Sequence, residues 1–205
     1  MKDVLPKEYR YEEVDSTMDE AKRLILSGKI TETSYVIADY QSKGRGTRGR
    51  KWDSPKSSGI FLSIIHSNGS MELTTLYTLA SGVACIESLK EVCNISAAIK
   101  PINDIYFEGK KLGGILVESK LKKNEIVYLI TGIGINTKKT ERVLDRQEIE
   151  PVSIEEVLSP ELYKSFSEEK LIKTIVNKVN YWYSFIFNNE HLKIQNQWNS
   201  FVVKK

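Results

Sequence analysis

A short segment rich in glycine and arginine, Gln41–Trp52, lies between two apolar runs and constrains the fold most strongly. It contains three glycines, three arginines and two lysines. The flanking runs, Ser34–Asp39 and Gly59–His66, are predicted to be buried strands because they are short and continuous. Glycine lets the backbone approach a ligand closely, and arginine offers a planar set of donors that fits phosphate or carboxylate. The sequence therefore predicts a loop that closes over an anion, with a solvated basic loop or a nucleic-acid patch as alternatives.

Three glycines of this loop, Gly44, Gly46 and Gly49, also satisfy the dinucleotide pattern G-x-G-x-x-G. That pattern binds a pyrophosphate only where a helix begins at the glycines. The next residues, Lys51–Gly59, contain a proline and three serines and do not favour a helix. A P-loop is excluded as well, because Arg50-Lys51 stands where Lys-Ser or Lys-Thr is required. We interpret the match as accidental.

The runs of strand-like segments, with helix-like segments on one side, predict an α+β fold. Strands are expected at Tyr9–Val14 and Ile126–Asn136, with a hairpin over Tyr106–Val117 that turns at Glu108-Gly109. Helices are expected from Thr17 to Gly28 and over Leu73–Val92, Ile154–Leu158, Glu161–Phe187 and His191–Phe201. Thr17 and Glu20 fit a capping box, and Gly28 is a suitable stop. The prediction is one domain over residues 1–205, a mixed β-sheet with helices packed on one side.

Composition and charge exclude several other classes of protein. A net charge of +3 is too small to indicate nucleic-acid binding. No apolar run approaches the roughly eighteen residues of a membrane span, and the first residues lack the apolar segment of a signal peptide. A cytoplasmic location is therefore expected. Cys85 and Cys93 lack zinc-ligand spacing and neighbouring histidines, so both are expected to be buried thiols.

Three smaller features are assigned from local polarity. Lys120–Asn124 is predicted to be a lysine-rich turn, and Lys138–Asp145 a charged connection. His66, which ends its strand before Ser-Asn-Gly, is predicted to lie at the surface.

A second motif, Lys100–Glu118, joins Asn103-Asp104 to a Gly-Lys-Lys turn and a strand that begins Leu-Gly-Gly. With the arginine loop, it resembles the biotin protein ligases, in which Lys-Trp-Pro-Asn-Asp is followed by a lysine seven residues later and a small-Gly-Ile-Leu strand. Asp104 and Lys111 keep that spacing. Gly132–Asn136 and Asp15–Thr17 are similar to two further family segments, in the same order. The resemblance runs from about residue 9 to about residue 200.

The resemblance implies a role for each matching residue. The family adenylates biotin with ATP and passes it to a lysine of a carrier protein, and cationic groups are needed where two anions approach each other. Lys111, Arg45 and Asp104 are implied to be catalytic, with Asp104 also a ligand for Mg²⁺. The implied biotin contacts are Ser16, Thr17, Gln41, Gly44, Arg45, Ser63, Lys111, Gly113 and Gly114. The implied contacts of ATP or the adenylate are Arg45, Thr47, Arg48, Arg50, Trp52, Lys100, Asn103 and Asn136.

The residue types leave alternatives open at several of these positions. A serine or threonine before a helix also serves as a cap, which applies to Ser16 and Thr17. Ser63 is equally suited to face outward from its strand. Trp52 is suited either to stack on adenine or to anchor the loop in the core. Gly132 and Gly134 are best explained by tight strand packing.

The chain departs from the family pattern in three respects. Lys100-Pro-Ile-Asn-Asp104 lacks the tryptophan, and Thr47 stands at a position that is usually basic. Neither the N-terminal winged helix of the repressor members nor the C-terminal β-barrel is expected within residues 1–205.

The function implied by the resemblance is that of a biotin protein ligase. It would use biotin, ATP and Mg²⁺, and its partner would be a biotin carboxyl carrier protein. Neither nucleic acid nor membrane is expected as a partner, and the protein is expected to be a monomer or a homodimer. The alternatives are a catalytically impaired biotin-sensing module and a lipoate or octanoyl ligase of the same fold.

Overall fold

A computed structural model describes residues 6–30, 32–66, 73–122, 125–140 and 149–203. These residues form a seven-stranded sheet in the order β1-β2-β3-β7-β6-β5-β4. β1 and β2 pair in parallel, and the other neighbouring strands pair antiparallel. The strands are β1 (Lys7–Val14), β2 (Ser34–Gln41), β3 (Gly59–His66), β4 (Ala98–Lys100), β5 (Asp104–Phe107), β6 (Lys110–Lys122) and β7 (Glu125–Asn136). The mixed sheet confirms the predicted α+β class.

Six α-helices accompany the sheet within the described ranges: α1 (Thr17–Leu26), α2 (Thr74–Cys93), α3 (Ile154–Val157), α4 (Pro160–Ser165), α5 (Glu168–Phe187) and α6 (His191–Phe201). α2 and α5 cover one face of the sheet and bury the main core with Tyr35 and Ile37 of β2. α1 packs on the opposite face, where Met18 lies in a smaller core with Val36. Side chains alternate along a strand, so neighbouring residues of β2 serve the two cores. None of the helices in the described ranges has the length and apolarity to cross a bilayer.

Two helix starts differ from the sequence prediction, in each case because a serine caps the helix there. The Ser16 hydroxyl accepts a hydrogen bond from the Met18 N–H at 3.3 Å, so Ser16 is the cap of α1. The capping box assigned to Thr17 and Glu20 is therefore wrong. The helix predicted over Glu161–Phe187 is divided, because Ser167 caps a new helix through the Lys170 N–H at 3.2 Å.

Two of the predicted turns are confirmed, and a third is wrong over its described residues. Glu108 and Gly109 join β5 to β6 with positive φ angles of 48° and 82°, which confirms the hairpin. Gly28 has a φ of 72° and directly follows Ser27, the C-terminal cap of α1, which confirms the stop. The predicted Lys120–Asn124 turn is wrong over Lys120–Lys122, because these residues continue β6 and pair with β7. Residues 123–124 of that turn and residues 141–148, which include most of the predicted Lys138–Asp145 connection, lie outside the described residues.

His66 is buried, contrary to the prediction that it lies at the surface. Its side chain is 6% exposed, and its ring lies 4.4 Å from the ring of Tyr183 on α5. The Tyr183 hydroxyl bonds in turn with Thr131 at 2.7 Å. Burial lowers the pKa of His66 to about 3, so the imidazole is neutral in the core. Cys85 and Cys93 are free and buried, as predicted, and burial raises the pKa of Cys85 to about 12 and that of Cys93 to about 11.

Candidate active site

A cavity of about 760 Å³ opens between the arginine loop, the start of α1 and the strands β3, β7 and β6. Its lining comes from segments spread over the first three quarters of the chain. The predicted site residues that line it are Ser16, Thr17, Gln41, Arg45, Thr47, Arg50, Trp52, Asn103, Asp104, Lys111, Gly114 and Asn136. The fold therefore brings most of the predicted residues to one place.

Two predicted residues are exposed and lie outside this lining. Lys100 projects from β4, and its ammonium lies 3.2 Å from the hydroxyl of Tyr106. Arg48 lies in the arginine loop with a φ of 58°. Neither side chain contributes to the cavity wall in this structure.

Three other predicted residues lie behind the cavity wall. A Cβ atom at Gly44 would clash with the Trp52 carbonyl oxygen and would lie 3.1 Å from the Gln41 side-chain nitrogen, so glycine allows the loop to approach the end of β2. A Cβ atom at Gly113 would lie 2.7 Å from the Gly134 carbonyl oxygen. Ser63 is fully buried rather than facing outward into solvent. These residues support the lining from a second layer.

The floor of the cavity is a chain of buried hydrogen bonds. The Gln41 side-chain carbonyl accepts from the Thr17 N–H at 2.9 Å and from the Thr17 hydroxyl at 3.1 Å. The Ser63 hydroxyl donates to the Thr17 hydroxyl oxygen at 2.8 Å. The Gln41 amide nitrogen donates to the Ser54 hydroxyl at 2.8 Å. Each bond fixes the direction of the next, so the floor presents polar groups of defined orientation.

Two glycines of β7 make room for side chains that shape the cavity. A Cβ atom at Gly134 would lie 2.5 Å from the indole ring of Trp52. A Cβ atom at Gly132 would lie 2.8 Å from the Met18 sulfur. Tight packing explains both glycines, in agreement with the interpretation from sequence. Trp52 is seated against the sheet, and its indole N–H is buried without a hydrogen-bond partner among the described residues.

Lys111 and Asp104 form an ion pair at the cavity wall, with 2.7 Å between the ammonium and a carboxylate oxygen. The two residues lie on neighbouring strands, β6 and β5, and both are largely shielded from solvent. The Lys111 ammonium also lies 5.3 Å from the centre of the Trp52 ring, a cation–π contact. Asn103 is held beside the pair, because its amide donates to the Ile115 carbonyl at 3.0 Å. The predicted spacing thus brings the lysine and the carboxylate into contact.

Arg45 crosses the cavity mouth and contacts acidic residues of two other elements. Its guanidinium pairs with Asp19 of α1 and, at 3.5 Å, with Glu118 of β6. Lys22 lies 2.6 Å from the same Glu118 carboxylate. Burial opposes the charge of Arg45, but these carboxylates outweigh burial and raise its pKa. An anion that binds Arg45 must therefore compete with two carboxylates.

The rest of the arginine loop forms a single turn. Thr47–Gly49 is a 3₁₀ turn, and Arg50 is extended, so no helix begins at the glycines. The dinucleotide pattern is accidental here, as the sequence indicated. Arg50 donates to the Thr47 hydroxyl at 3.0 Å, which ties the two ends of the turn together.

Several residues of the site were not predicted from the sequence. Asp19 and Glu118 pair with Arg45, but their positions in a helix and a strand carry no local sign of it. Ile149 and Pro151 complete the cavity wall next to Lys111. Phe61 supplies an apolar wall from β3; like its neighbour Leu62, it is buried and lines the cavity.

The fold and cavity define a class of α+β domain in which a buried polar floor adjoins a mouth lined by cationic side chains. The chain belongs to the biotin/lipoate A/B protein ligase family, whose model matches residues 11–136.

Individual relatives support this assignment. The chain is 32% identical over 130 residues to the bifunctional ligase/repressor BirA of Bacillus subtilis. The aligned residues make up 63% of this chain and 40% of that protein. The chain therefore spans less than half the length of that relative. A biotin protein ligase from Aquifex aeolicus in complex with biotin and ATP has a TM-score of 0.77 at 25% identity, over 96% of this chain and 78% of that one. The biotin protein ligase from Leishmania major in complex with biotinyl-5-AMP has a TM-score of 0.75 at 25% identity, over 98% of this chain and 83% of that one.

Proposed function

We propose that this chain is an ATP-dependent biotin protein ligase. It forms biotinyl-5′-AMP from biotin and ATP, then transfers the biotinyl group to a lysine of a biotin carboxyl carrier protein. The observation that carries the proposal is the placement of the Lys111–Asp104 pair in the same cavity as the buried Thr17–Gln41 floor. The similar structures that contain biotin with ATP, or biotinyl-5-AMP, support this choice of substrates.

Biotin would enter with its ring system toward the polar floor. The ureido group needs both donors and acceptors, and the buried end of the cavity offers hydroxyl and amide groups of Ser16, Thr17 and Gln41. Gly44 and Ser63 would act indirectly, by supporting Gln41 and Thr17 from behind. The start of α1 adds backbone N–H groups at a favourable helix end.

The valeryl chain would then carry the biotin carboxylate toward Lys111. Gly114 allows close passage there, since a Cβ atom at this position would lie 3.1 Å from the Trp52 ring. Gly113 supports the same stretch of β6 from behind. The carboxylate would then lie next to the cationic groups at the mouth.

In the first half-reaction, a carboxylate oxygen attacks the α-phosphorus of ATP, and the bond from that phosphorus to the bridging oxygen breaks as pyrophosphate leaves. Lys111 and Arg45 would offset the negative charge that accumulates as two anions approach. Lys111 is already fixed by Asp104, so little reorganisation is needed when charge develops.

In the second half-reaction, the ε-amine of the carrier lysine attacks the acyl carbon, and the bond from that carbon to the phosphate oxygen breaks. AMP leaves with the bonding electrons, and the nitrogen releases one proton to solvent. Asp104 would orient this amine, since it is the carboxylate beside the reacting groups. Trp52 would cover the adenylate and limit hydrolysis. Its buried indole N–H needs an acceptor from a ligand or water.

The remaining predicted contacts would hold the nucleotide. Thr47 and Arg50 line the mouth, whereas Arg48 and Lys100 are exposed and would need to turn inward to reach a phosphate. Asn103 lies next to Asp104, near the expected position of the nucleotide.

Mg²⁺ fits this site as an ion that accompanies ATP. The described residues contain no cluster of three His, Cys, Asp or Glu side chains. Asp104 provides a single carboxylate, and Mg²⁺ in nucleotide sites commonly combines one or two carboxylates with phosphates and water. Asp104 would therefore be the protein ligand, and the bound ion would neutralise phosphate charge.

The proposal includes a carrier protein as partner, a monomeric or homodimeric state and a cytoplasmic location, which the two free buried thiols support. Nucleic acid and membrane are not proposed as partners. A lipoate or octanoyl ligase would share the family and the fold, and a biotin sensor would share the floor of the cavity.

Pyrophosphate release separates these possibilities. The protein is incubated with Mg-ATP and biotin, lipoate or octanoate, and carrier labelling is followed in parallel. Of the three acids, only biotin should support pyrophosphate release. Lys111→Ala should lower the rate by about 10²–10³-fold. Lys110→Ala is the matched control, because the neighbouring lysine pairs with Glu150 at 2.7 Å and is exposed. Equal rates in the two variants, or release with lipoate in place of biotin, would refute the assignment.

A further inference from the structure

Lys111 occupies an irregular position at the start of β6. In the β5–β6 ladder Ile105 pairs with Gly113, and Tyr106 pairs with Lys111, so Leu112 is an extra residue on β6. Leu112 is fully buried in the main core. A bulge of this kind bends a strand and re-aims its side chains. The direction of the Lys111 side chain therefore depends on how the main chain is held at the bulge.

The segment 149–152 holds this main chain from outside the regular ladder. The Lys111 N–H donates to the Glu150 carbonyl at 2.8 Å, and the Lys111 carbonyl accepts from the Val152 N–H at 2.9 Å. Lys111 and Pro151 thus form an isolated parallel bridge that continues the sheet past the end of β7.

Asn136, the last residue of β7, braces the same junction. Its side-chain nitrogen donates to the carbonyl of Lys111 and to that of Val152, both at 3.1 Å. An amide nitrogen carries two protons, so main-chain acceptors use both of them. The residue is buried. The amide nitrogen that was expected to reach the nucleotide is therefore engaged inside the protein.

We propose that Asn136 is a positioning residue for Lys111. It ties the Lys111 carbonyl to the Val152 carbonyl and so fixes the bulge that aims the ammonium group into the cavity. This inference rests on the proposed ligase function, in which Lys111 stabilises the transferring charge. Asn136 acts through Lys111 and not by contact with biotin or ATP. A displacement of about 1 Å in such a group costs about 10²-fold in rate.

A double-mutant cycle on pyrophosphate release tests the proposal. Asn136→Ala should lower kcat about 10- to 100-fold, while the KM for ATP and the Kd of a non-hydrolysable ATP analogue change less than about threefold. In a Lys111→Ala background, the same substitution should change the rate less than about threefold, because the group that it positions is gone. In a Lys110→Ala background, the full loss should remain.

Two results would overturn the proposal. The first is that Asn136→Ala lowers the rate in the Lys111→Ala background by the same factor as in the wild type, so that the two losses multiply. The second is that Asn136→Ala weakens binding of the ATP analogue about tenfold, on the order expected for a direct contact. If thermal unfolding shows that Asn136→Ala is not folded, Asn136→Ser, which keeps one donor, is carried through the same cycle. A wild-type protein that releases no pyrophosphate with biotin would overturn the ligase function and this role with it. If the wild type releases pyrophosphate with biotin but the rate losses of the two substitutions multiply, only the positioning role is overturned.

Discussion

Replacing His66 by glutamine measures how much of the protein's acid sensitivity comes from one buried imidazole. Histidine in an unfolded chain has a pKa of about 6.5, whereas burial beside Tyr183 lowers the pKa of His66 to about 3. Between these two values the unfolded chain binds a proton that the folded protein does not. The free energy of unfolding must therefore decrease as the pH falls through this window.

The size of the effect follows from the two pKa values. The full contribution is present above about pH 6.5 and is lost progressively down to about pH 3, at about 1.4 kcal/mol per pH unit in the middle of the window. Between pH 7 and pH 5 this single group removes about 2 kcal/mol. A typical domain has a total stability of about 5–15 kcal/mol, so the loss is measurable.

Urea unfolding followed by tryptophan fluorescence at pH 7, 6 and 5 provides the assay. His66→Gln can change the stability at pH 7 through packing, so the informative quantity is the loss from pH 7 to pH 5, which should be about 2 kcal/mol smaller than in the wild type. Thr131→Val is the matched control. It removes a hydroxyl 3.4 Å from the imidazole but keeps the titrating group, so it should retain the wild-type pH dependence. Identical pH dependence in the wild type and His66→Gln would refute the reasoning.

Three further predictions concern the cavity. Gly134→Ala should displace the Trp52 indole, which would lie 2.5 Å from the new methyl carbon, and should lower adenylation by roughly tenfold or more; unchanged turnover and fluorescence would show that this seat is dispensable. Thr47→Arg should slow dissociation of the acyl-adenylate by about 5- to 30-fold, because a charge-assisted bond replaces a neutral one; equal dissociation rates would mean that this position does not touch the phosphate. Glu118→Gln should raise the affinity for ATP by up to about fivefold, because it removes one carboxylate that competes for Arg45. A titration that shows weaker ATP binding in this variant would contradict the competition.

Local sequence patterns predicted most of the secondary structure because each pattern depends on residues close together in the chain. The turn at Glu108-Gly109 and the strand Gly59–His66 were predicted at the positions where the structure has them, whereas the second strand of the hairpin continues past Val117 to Lys122. Errors arose where distant segments decide the outcome. His66 is followed by polar residues and looked exposed, but Tyr183 of α5 covers it.

In the candidate site, too, local features were predictable and contacts between distant segments were not. The sequence predicted that Asp104 and Lys111 belong to one site but did not predict their ion pair. Asp104 pairs with Gly114 in the ladder and Lys111 with Tyr106, so the contact depends on the irregularity at Leu112. The carboxylates that hold Arg45 could not be anticipated, since they come from a helix and a distant strand. The internal engagement of Asn136 also depends on a segment, residues 149–152, that is not adjacent to it in the chain.

The cavity lies across the seam of the sheet. β1 to β3 precede residue 67 and β4 to β7 follow residue 97, and within the sheet these two halves meet where Gly59–His66 pairs with Leu129–Asn136. Gln41 reaches the cavity from the first half and Lys111 from the second, so a ligand in contact with both acts as a reversible cross-link between them. Opening of the seam would require release of that ligand. At a ligand concentration of 100 times Kd, the closed state gains about 2.7 kcal/mol, and amide hydrogens along β3 and β7 that exchange through this opening would exchange about 100-fold more slowly.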